Sequence, residues 1–236
     1  MTARGARLYV LVDNRARPGL WQAWGLSILA ETASGGLVLF DTGPDGETLC
    51  HNAEAMGVAH LLSRLDVVVI SHPHRDHYGG LGCVAHHNPG ATVVLPPVPA
   101  HLVSYVRRLG LVPVVQPRGV AVAPGAWATT PLEAAIGLRE RALAVETGSG
   151  LPAVLLGCSH PGGDRLVETA LRETGAEHAA LAIGGLHEPP PAVVDRIAEM
   201  AERIAPIHCS GSARDYAART YPEKYVDAPA GTVLEL

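Results

Sequence analysis

Ser71-His72-Pro73-His74-Arg75-Asp76-His77 packs three histidines and an aspartate into six residues. It follows directly on the apolar run Val67-Val68-Val69-Ile70 and shortly precedes Gly79-Gly80. A short apolar run bounded by turn residues predicts a buried strand. The histidines therefore stand where a buried strand emerges into a loop. Imidazole and carboxylate groups are ligands for zinc and related first-row metals. Four of them this close together are costly to bury unless something cationic holds them. The spacing also divides them. His72 and His74 reach one metal, while Asp76 and His77, about a helical turn further on, reach a second, the arrangement of a two-metal hydrolytic site.

Three other apolar runs end in histidine. They are Leu155-Leu156-Gly157-Cys158-Ser159-His160, Ala182-Ile183-Gly184-Gly185-Leu186-His187 and Pro206-Ile207-His208-Cys209-Ser210-Gly211. Ligands of α/β sheets bind beyond the carboxyl ends of the strands. Four strand ends that each deliver a histidine to one rim predict a single convergent site. His160 and His208 each supply one remaining ligand. His187 is either a rim histidine before a proline-started helix or a group that acts on the substrate. Asp41 ends the run at 37–40 and is read as the carboxylate that accepts the free N–H of a metal-bound imidazole, fixing its orientation. The isolated His51, His60, His86, His87, His101 and His178 read as solvated polar residues.

Composition narrows the function classes. The net charge is −5 and no basic stripe is visible, which argues against a grip on nucleic acid. No apolar run approaches the length of a membrane span, and the first apolar run, at 8–12, reads as a strand rather than a secretion signal. Cys50, Cys83, Cys158 and Cys209 lack the paired spacing of a zinc motif or a disulfide scaffold. A reduced, cytoplasmic setting is therefore expected. A small-molecule substrate is the expected partner, and self-association into a homodimer stays open.

Strand patterns fall at 8–12, 26–30, 37–40, 67–70, 92–95, 112–115, 120–123, 143–146, 153–156, 179–183 and 232–236, and one more ends at 208. Helical patterns fall at 46–56, 99–109, 164–173 and 193–204. Both halves of the chain run from antiparallel-looking strands into strand–helix units. The expectation is one α/β domain over residues 1–236, with halves at about 1–118 and 119–236. Stacked sheet on sheet with helices outside, these halves make a four-layer α/β/β/α sandwich.

The His-x-His-x-Asp-His motif at His72, His74, Asp76 and His77 resembles the hallmark of the metallo-β-lactamase superfamily. More narrowly, the chain is similar to the branch labelled 7,8-dihydropterin-6-methyl-4-(β-D-ribofuranosyl)aminobenzene-5′-phosphate synthase-like. The matching stretches are residues 25–32, 39–43, 52–57, 157–162, 184–187 and 208–211. The resemblance implies the four-layer fold and a dinuclear metal site, with ligand roles for His72, His74, Asp76, His77, His160 and His208. The chain also departs from the pattern. Many members carry a ligand histidine in a Pro-Gly-His turn, where this chain has Pro124-Gly125-Ala126-Trp127. Many place a bridging aspartate where Cys158 stands. Trp24 occupies a position where the branch tends to have histidine. His160 would then replace one ligand, with Cys158 beside the site as an inert strand-end thiol or a thiolate ligand.

The expected activity is that of a metal-dependent hydrolase or related transferase acting on a small anionic molecule, a phosphate ester or a pterin-like compound. Two divalent ions, zinc first with iron or manganese as alternatives, would supply a bound hydroxide as nucleophile. Asp76 would orient it and hold the proton in transit, and His187 would donate to an oxyanion or a phosphate. Ser210, Gly211 and Ser212, at a helix start, would offer backbone N–H groups to an anion. Arg75 would touch an anionic substrate, and Trp24, with Trp21 and Trp127, would line the mouth for a flat ring. The enzyme alternative is a lactone, thioester or β-lactam hydrolase. The alternative of another class is a non-hydrolytic diiron redox or metal-sensing protein, which the excess of histidine over carboxylate disfavours.

Overall fold

The computed structural model describes residues 5–236. In chain order the strands of the amino-terminal part are β1 (Arg7–Val12), β2 (Ser27–Glu31), β3 (Leu37–Phe40), β4 (Val67–Val69), β5 (Thr92–Leu95) and β6 (Val112–Val115). Then follow β7 (Val120–Ala123), β8 (Ala126–Ala128), β9 (Leu132–Ala135), β10 (Leu138–Glu140), β11 (Leu143–Val145), β12 (Ala153–Leu156), β13 (Leu181–Gly185), β14 (Ile204–Ile207) and β15 (Val233–Glu235). The helices are α1 (Gly46–Ala55), α2 (Ala59–Leu62), α3 (Arg75–Tyr78), α4 (Leu81–His87), α5 (Ala100–Arg108), α6 (Gly163–Thr174), α7 (Pro191–Met200) and α8 (Ser212–Thr220).

The larger sheet has the order β15-β1-β2-β3-β4-β5-β6 and a second β14-β13-β12-β11-β8-β7, while β9 and β10 pair as a separate two-stranded ribbon. Strand residues alternate between two apolar layers, as period two demands. Val38 and Phe40 of β3 and Val67 and Val69 of β4 face inward, where they meet Leu155 of β12, Ile183 of β13 and Ile207 of β14 between the sheets. Their neighbours Leu39 and Val68 face outward under α1, α2, α4 and α5. On the second sheet Val154 and Ala182 face outward under α6, α7 and α8. Three apolar layers between four structural layers make the α/β/β/α sandwich that the sequence pattern predicts. Strands buried on both faces explain why these runs read as continuously apolar.

Register places the functional loops. β3 and β4 run parallel, as do β12, β13 and β14. Their carboxyl ends therefore emerge on common edges, and the segments after them hold all the strand-end histidines. The five non-glycine residues with left-handed backbone among the described residues also lie there: Asp41, Ser159, His187, Glu188 and His208. Such conformations cost free energy and tend to collect at functional sites.

Two helix expectations change. The helix read over 193–204 starts at Pro191 and ends at Met200, because Ala201 is extended and Ile204 begins β14. The segment at 81–87, with no helix expected, forms α4 directly after the histidine motif. Gly79 and Gly80 make that connection possible. A Cβ on either would strike the carbonyl oxygen of Pro44 or Thr42, so only glycine lets the two loops approach this closely.

The cysteine expectation is overturned as well. Cys50 of α1 and Cys83 of α4 form a disulfide, with their Cα atoms 5.7 Å apart and a sequence separation of 33. The partners come from separate helices whose packing no local spacing encodes. The cysteine argument for a reducing compartment falls with it. No helix among the described residues is long and apolar enough to cross a membrane.

Candidate metal centre

Four imidazoles are each tied by Nδ1 to a group behind them. His77 Nδ1 lies 2.7 Å from Asp41 Oδ2. His72 Nδ1 lies 2.9 Å from Ser71 Oγ, which in turn donates to Asp41 Oδ2 at 2.7 Å. His160 Nδ1 lies 2.8 Å from Glu140 Oε2. His208 Nδ1 lies 3.0 Å from Asn14 Oδ1. Each partner is an acceptor, so each Nδ1 carries a proton and each Nε2 is left facing the shared space; without a cation there, Asp76 holds a second proton on His208 Nε2. This arrangement turns the Nε2 atoms of four rings toward one space. The oriented imidazole with an acceptor behind it is the usual support of a metal ligand.

The donor atoms fall into two adjoining sets. His72, His74 and His160 form one. Asp76, His77, Cys158 and His208 form the other, and within each set the donor atoms lie within 4.8 Å of one another. Cys158 also groups with His160 and His187. His74 enters by the opposite nitrogen, with Nδ1 3.0 Å from His72 Nε2. Asp76 Oδ2 is 3.6 Å from His77 Nε2 and 3.5 Å from His208 Nε2. Cys158 Sγ is 3.2 Å from His77 Nε2. Of the two readings of Cys158, inert thiol beside the site or ligand, the position of its Sγ among the donors favours the second, where a bridging aspartate is common in the resembled superfamily.

Electrostatics match a space that takes positive charge. Burial drives His72 well below the ordinary histidine range and His77 down to about 3. It also lifts Asp41 to about 7. Burial works to raise Asp76, but His208 and His77 outweigh it and hold the carboxyl below the usual range. Burial alone would lower His208, yet Asp76 and Cys209 lift it to about 9. Cys209 and burial push the Cys158 thiol up, so a thiolate forms there only against a cation. His208 Nε2 is buried, and its nearest acceptor, Asp76 Oδ2 at 3.5 Å, stands too far off for a full hydrogen bond. A buried nitrogen left without a full partner is costly. A cation between Asp76, His77 and His208 would satisfy it, and the donor set suits zinc and similar first-row metals.

The comparisons bear on this geometry. A family profile described as the β-lactamase superfamily domain matches residues 37–212. The chain belongs to that superfamily. Within the superfamily, it is similar to Tm1679, a metal-dependent hydrolase of the β-lactamase superfamily known from its crystal structure. That likeness has a TM-score of 0.80 at 25% identity and covers 98% of this chain and 99% of that one. It also shares its fold with YhfI from Bacillus subtilis, a metallo-β-lactamase fold protein (TM-score 0.70, 14% identity, 98% of this chain and 100% of that one). Among curated proteins it is similar to the 7,8-dihydropterin-6-methyl-4-(β-D-ribofuranosyl)-aminobenzene-5′-phosphate synthase of Methanocaldococcus jannaschii. The two are 25% identical over 229 residues, 77% of each chain.

Around the superfamily motif stand two supports that sequence reasoning missed. Glu140 is fully buried. Its Oε1 accepts the backbone N–H of Cys158 at 2.7 Å and of Ser159 at 2.6 Å. Its Oε2 accepts the backbone N–H and ring N–H of His160, both at 2.8 Å. One carboxylate thus fixes the whole turn that carries Cys158 and His160. Burial would raise Glu140, but His72 and His160 outweigh it and bring it to about 2. It sits at the end of β10, within Leu138-Arg139-Glu140-Arg141, where it reads as one charge of an exposed hairpin. The pair Asp13-Asn14 is the other. Asp13 Oδ1 accepts His208 N–H at 2.6 Å, and Asn14 holds the His208 ring. A polar pair at a strand end, as at Asp41, was the available hint.

Several substrate-side expectations change. Trp127 faces α6, its indole N–H donating to Glu173 at 2.8 Å, so it does not line the mouth. Ser210 is buried, with its hydroxyl donating to Ile207 O at 2.6 Å and accepting Leu186 N–H at 3.1 Å. That hydroxyl is spent on backbone. The Glu188 carboxylate stands against Gly211, so a carboxylate of the chain itself already meets the start of α8 beside Ser212. Arg75 lines a hollow with the Cys50–Cys83 disulfide, Asp45 and Glu47. Trp24 does reach the rim: it is 64% exposed and presents its ring to His208 at 5.4 Å between centroids. His187 is exposed, with its ring 4.7 Å from that of His160. His51, read as solvated, stacks on Trp21 at 4.1 Å.

Proposed function

We propose that this chain is a dinuclear metal-dependent enzyme. It would hydrolyse, or transfer a group on, a small anionic substrate, a phosphate ester or a pterin-like compound. The observation that carries the reading is the pair of adjoining donor sets, His72, His74 and His160 beside Asp76, His77, Cys158 and His208. The incompletely partnered Nε2 of His208 adds to it. When bound, two divalent ions such as zinc would supply Lewis acidity and lower the pKa of water. The resemblance to a metal-dependent hydrolase supports hydrolysis, and the similarity to a synthase supports group transfer.

The chain's own groups divide the remaining work. Asp76 reaches from the buried histidines toward the open side, since its side chain is 22% exposed while those of His77 and His208 are fully buried. It is placed to take a proton from the attacking water and pass it to the leaving group. His187, exposed on the rim beside His160, is the donor for an oxyanion or a phosphate oxygen. Trp24 offers an exposed ring face against which a flat substrate can stack. A net charge of −5 favours a small substrate over long nucleic acid.

The test is metal analysis followed by turnover. Purified chain should carry about two zinc, iron or manganese ions. Each reconstituted form is then offered phosphomonoesters, phosphodiesters, a reduced pterin, a lactone, a thioester and a β-lactam. Turnover of a phosphate ester or pterin, lost in Asp76→Ala with the circular dichroism unchanged, supports the reading. Absence of bound metal under gentle purification refutes it.

A further inference from the structure

A second group of soft donors lies outside the histidine centre. Cys83 and His87 are four residues apart on α4 and so share one face of that helix. Cys50 approaches them from α1, and the two Sγ atoms and one His87 ring nitrogen lie within 4.8 Å of one another. Cys83 is 3% exposed, while Cys50 and His87 are half-buried. The hollow beside them is lined by His86, Asp45 and Glu47 as well as by the two cysteines. None of these groups touches the histidine centre. Once reduced, the two cysteines and the imidazole would form a donor set for a soft divalent ion of the zinc class, with a fourth place for water.

We propose that Cys50, Cys83 and His87 form a second metal site, exclusive with the disulfide. Oxidised, the two Sγ atoms bond each other and offer no thiolate. A dithiol reductant delivers two electrons to the S–S bond. The bond breaks, each Sγ takes a proton, and the reductant leaves as its own disulfide. A zinc-class ion then binds both sulfurs, and the two thiol protons pass to solvent. On reduction the two Sγ atoms must part to roughly 3.8 Å, the separation of two sulfurs about 2.3 Å from one tetrahedral zinc, a change made by side-chain rotation with the Cα atoms 5.7 Å apart. The site therefore exchanges a covalent clamp between α1 and α4 for a metal clamp.

The experiment compares one chain in two redox states. Oxidised protein and protein reduced with a dithiol, then freed of reductant without oxygen, are titrated with Co²⁺ and with Zn²⁺. Reduced protein should take up one more equivalent than oxidised protein, and the added cobalt should bring a new thiolate charge-transfer band. The extra equivalent and band should be absent from Cys50→Ser/Cys83→Ser, and His87→Ala should weaken the extra equivalent by tenfold or more while leaving the others unchanged. Equal uptake by oxidised and reduced wild-type protein overturns the proposal, and it does so even if the serine variant fails to fold. Because the readout is a difference between redox states, metal held at the histidine centre cancels from it.

Discussion

Replacing Glu140 by glutamine keeps its shape and removes its charge, and it tests whether one buried carboxylate organises half of the centre. The carboxylate accepts four N–H groups, two on each oxygen. An amide has one oxygen and one NH2 group, so in either orientation two of the four donors face another donor. Hydrogen bonds to charged groups contribute about 1.5–3 kcal/mol each, which puts the loss at about 3–6 kcal/mol. His72 and then His160 hold the carboxyl at about 2, against burial, so the charge that glutamine removes is one the site favours. For a chain of this size each kcal/mol moves the melting temperature by about 2–4 °C, so Glu140→Gln should lower it by about 6–24 °C. The measurement is a thermal melt of chelated protein, with Glu133→Gln on the exposed neighbouring strand β9 as control. Metal content, read separately by emission spectrometry, should fall, because the released His160 ring leaves the set it shares with His72 and His74. A melting temperature within about 2 °C of the parent, with unchanged metal content, would refute the reasoning.

Other expectations follow from the same contacts. Asp41→Asn disturbs the acceptor shared by Ser71 and His77 and should weaken metal binding by about 10- to 100-fold, measured by competition with a coloured chelator. Reducing the Cys50–Cys83 bridge opens a loop spanning 33 residues and should cost about 4 kcal/mol of stability, read as a shift in urea midpoint that Cys50→Ala/Cys83→Ala does not show. Trp24→Ala should raise KM for a ring-bearing substrate by about 3- to 10-fold with kcat nearly constant, the size of one aromatic stacking contact. An unchanged KM would remove Trp24 from the substrate face.

The legible part of the molecule shares one property. The runs ending at Phe40, Ile70, Leu156, Gly185 and Ile207 are short and apolar, and each is closed by a polar or histidine-bearing turn. Period-two burial on both faces writes those runs directly into the sequence. Parallel neighbours then bring their carboxyl ends together, which makes His72, His160 and His208 meet. The illegible part depends on groups whose partner lies elsewhere. Glu140 looks like a hairpin charge until the turn at Cys158 folds over it. Asn14 looks like a turn residue until His208 arrives beside it. Trp127 looks like an aromatic available to ligand until α6 supplies Glu173. Ser210 looks like a helix-cap hydroxyl until Leu186 and Ile207 claim it.

The sequence alone therefore determined the layers and the inner half of the donor set, because ligand type, strand periodicity and spacing within six residues are local properties. The tertiary structure decided the rest. It set which acceptor stands behind each imidazole, which nitrogen is left free, and whether Cys158 stands among the donors. It also joined Cys50 to Cys83. These outcomes hang on distances of about 3 Å between residues far apart in the chain, and hydrogen-bond and disulfide geometry at that scale is fixed only when the two sheets and their helices have packed.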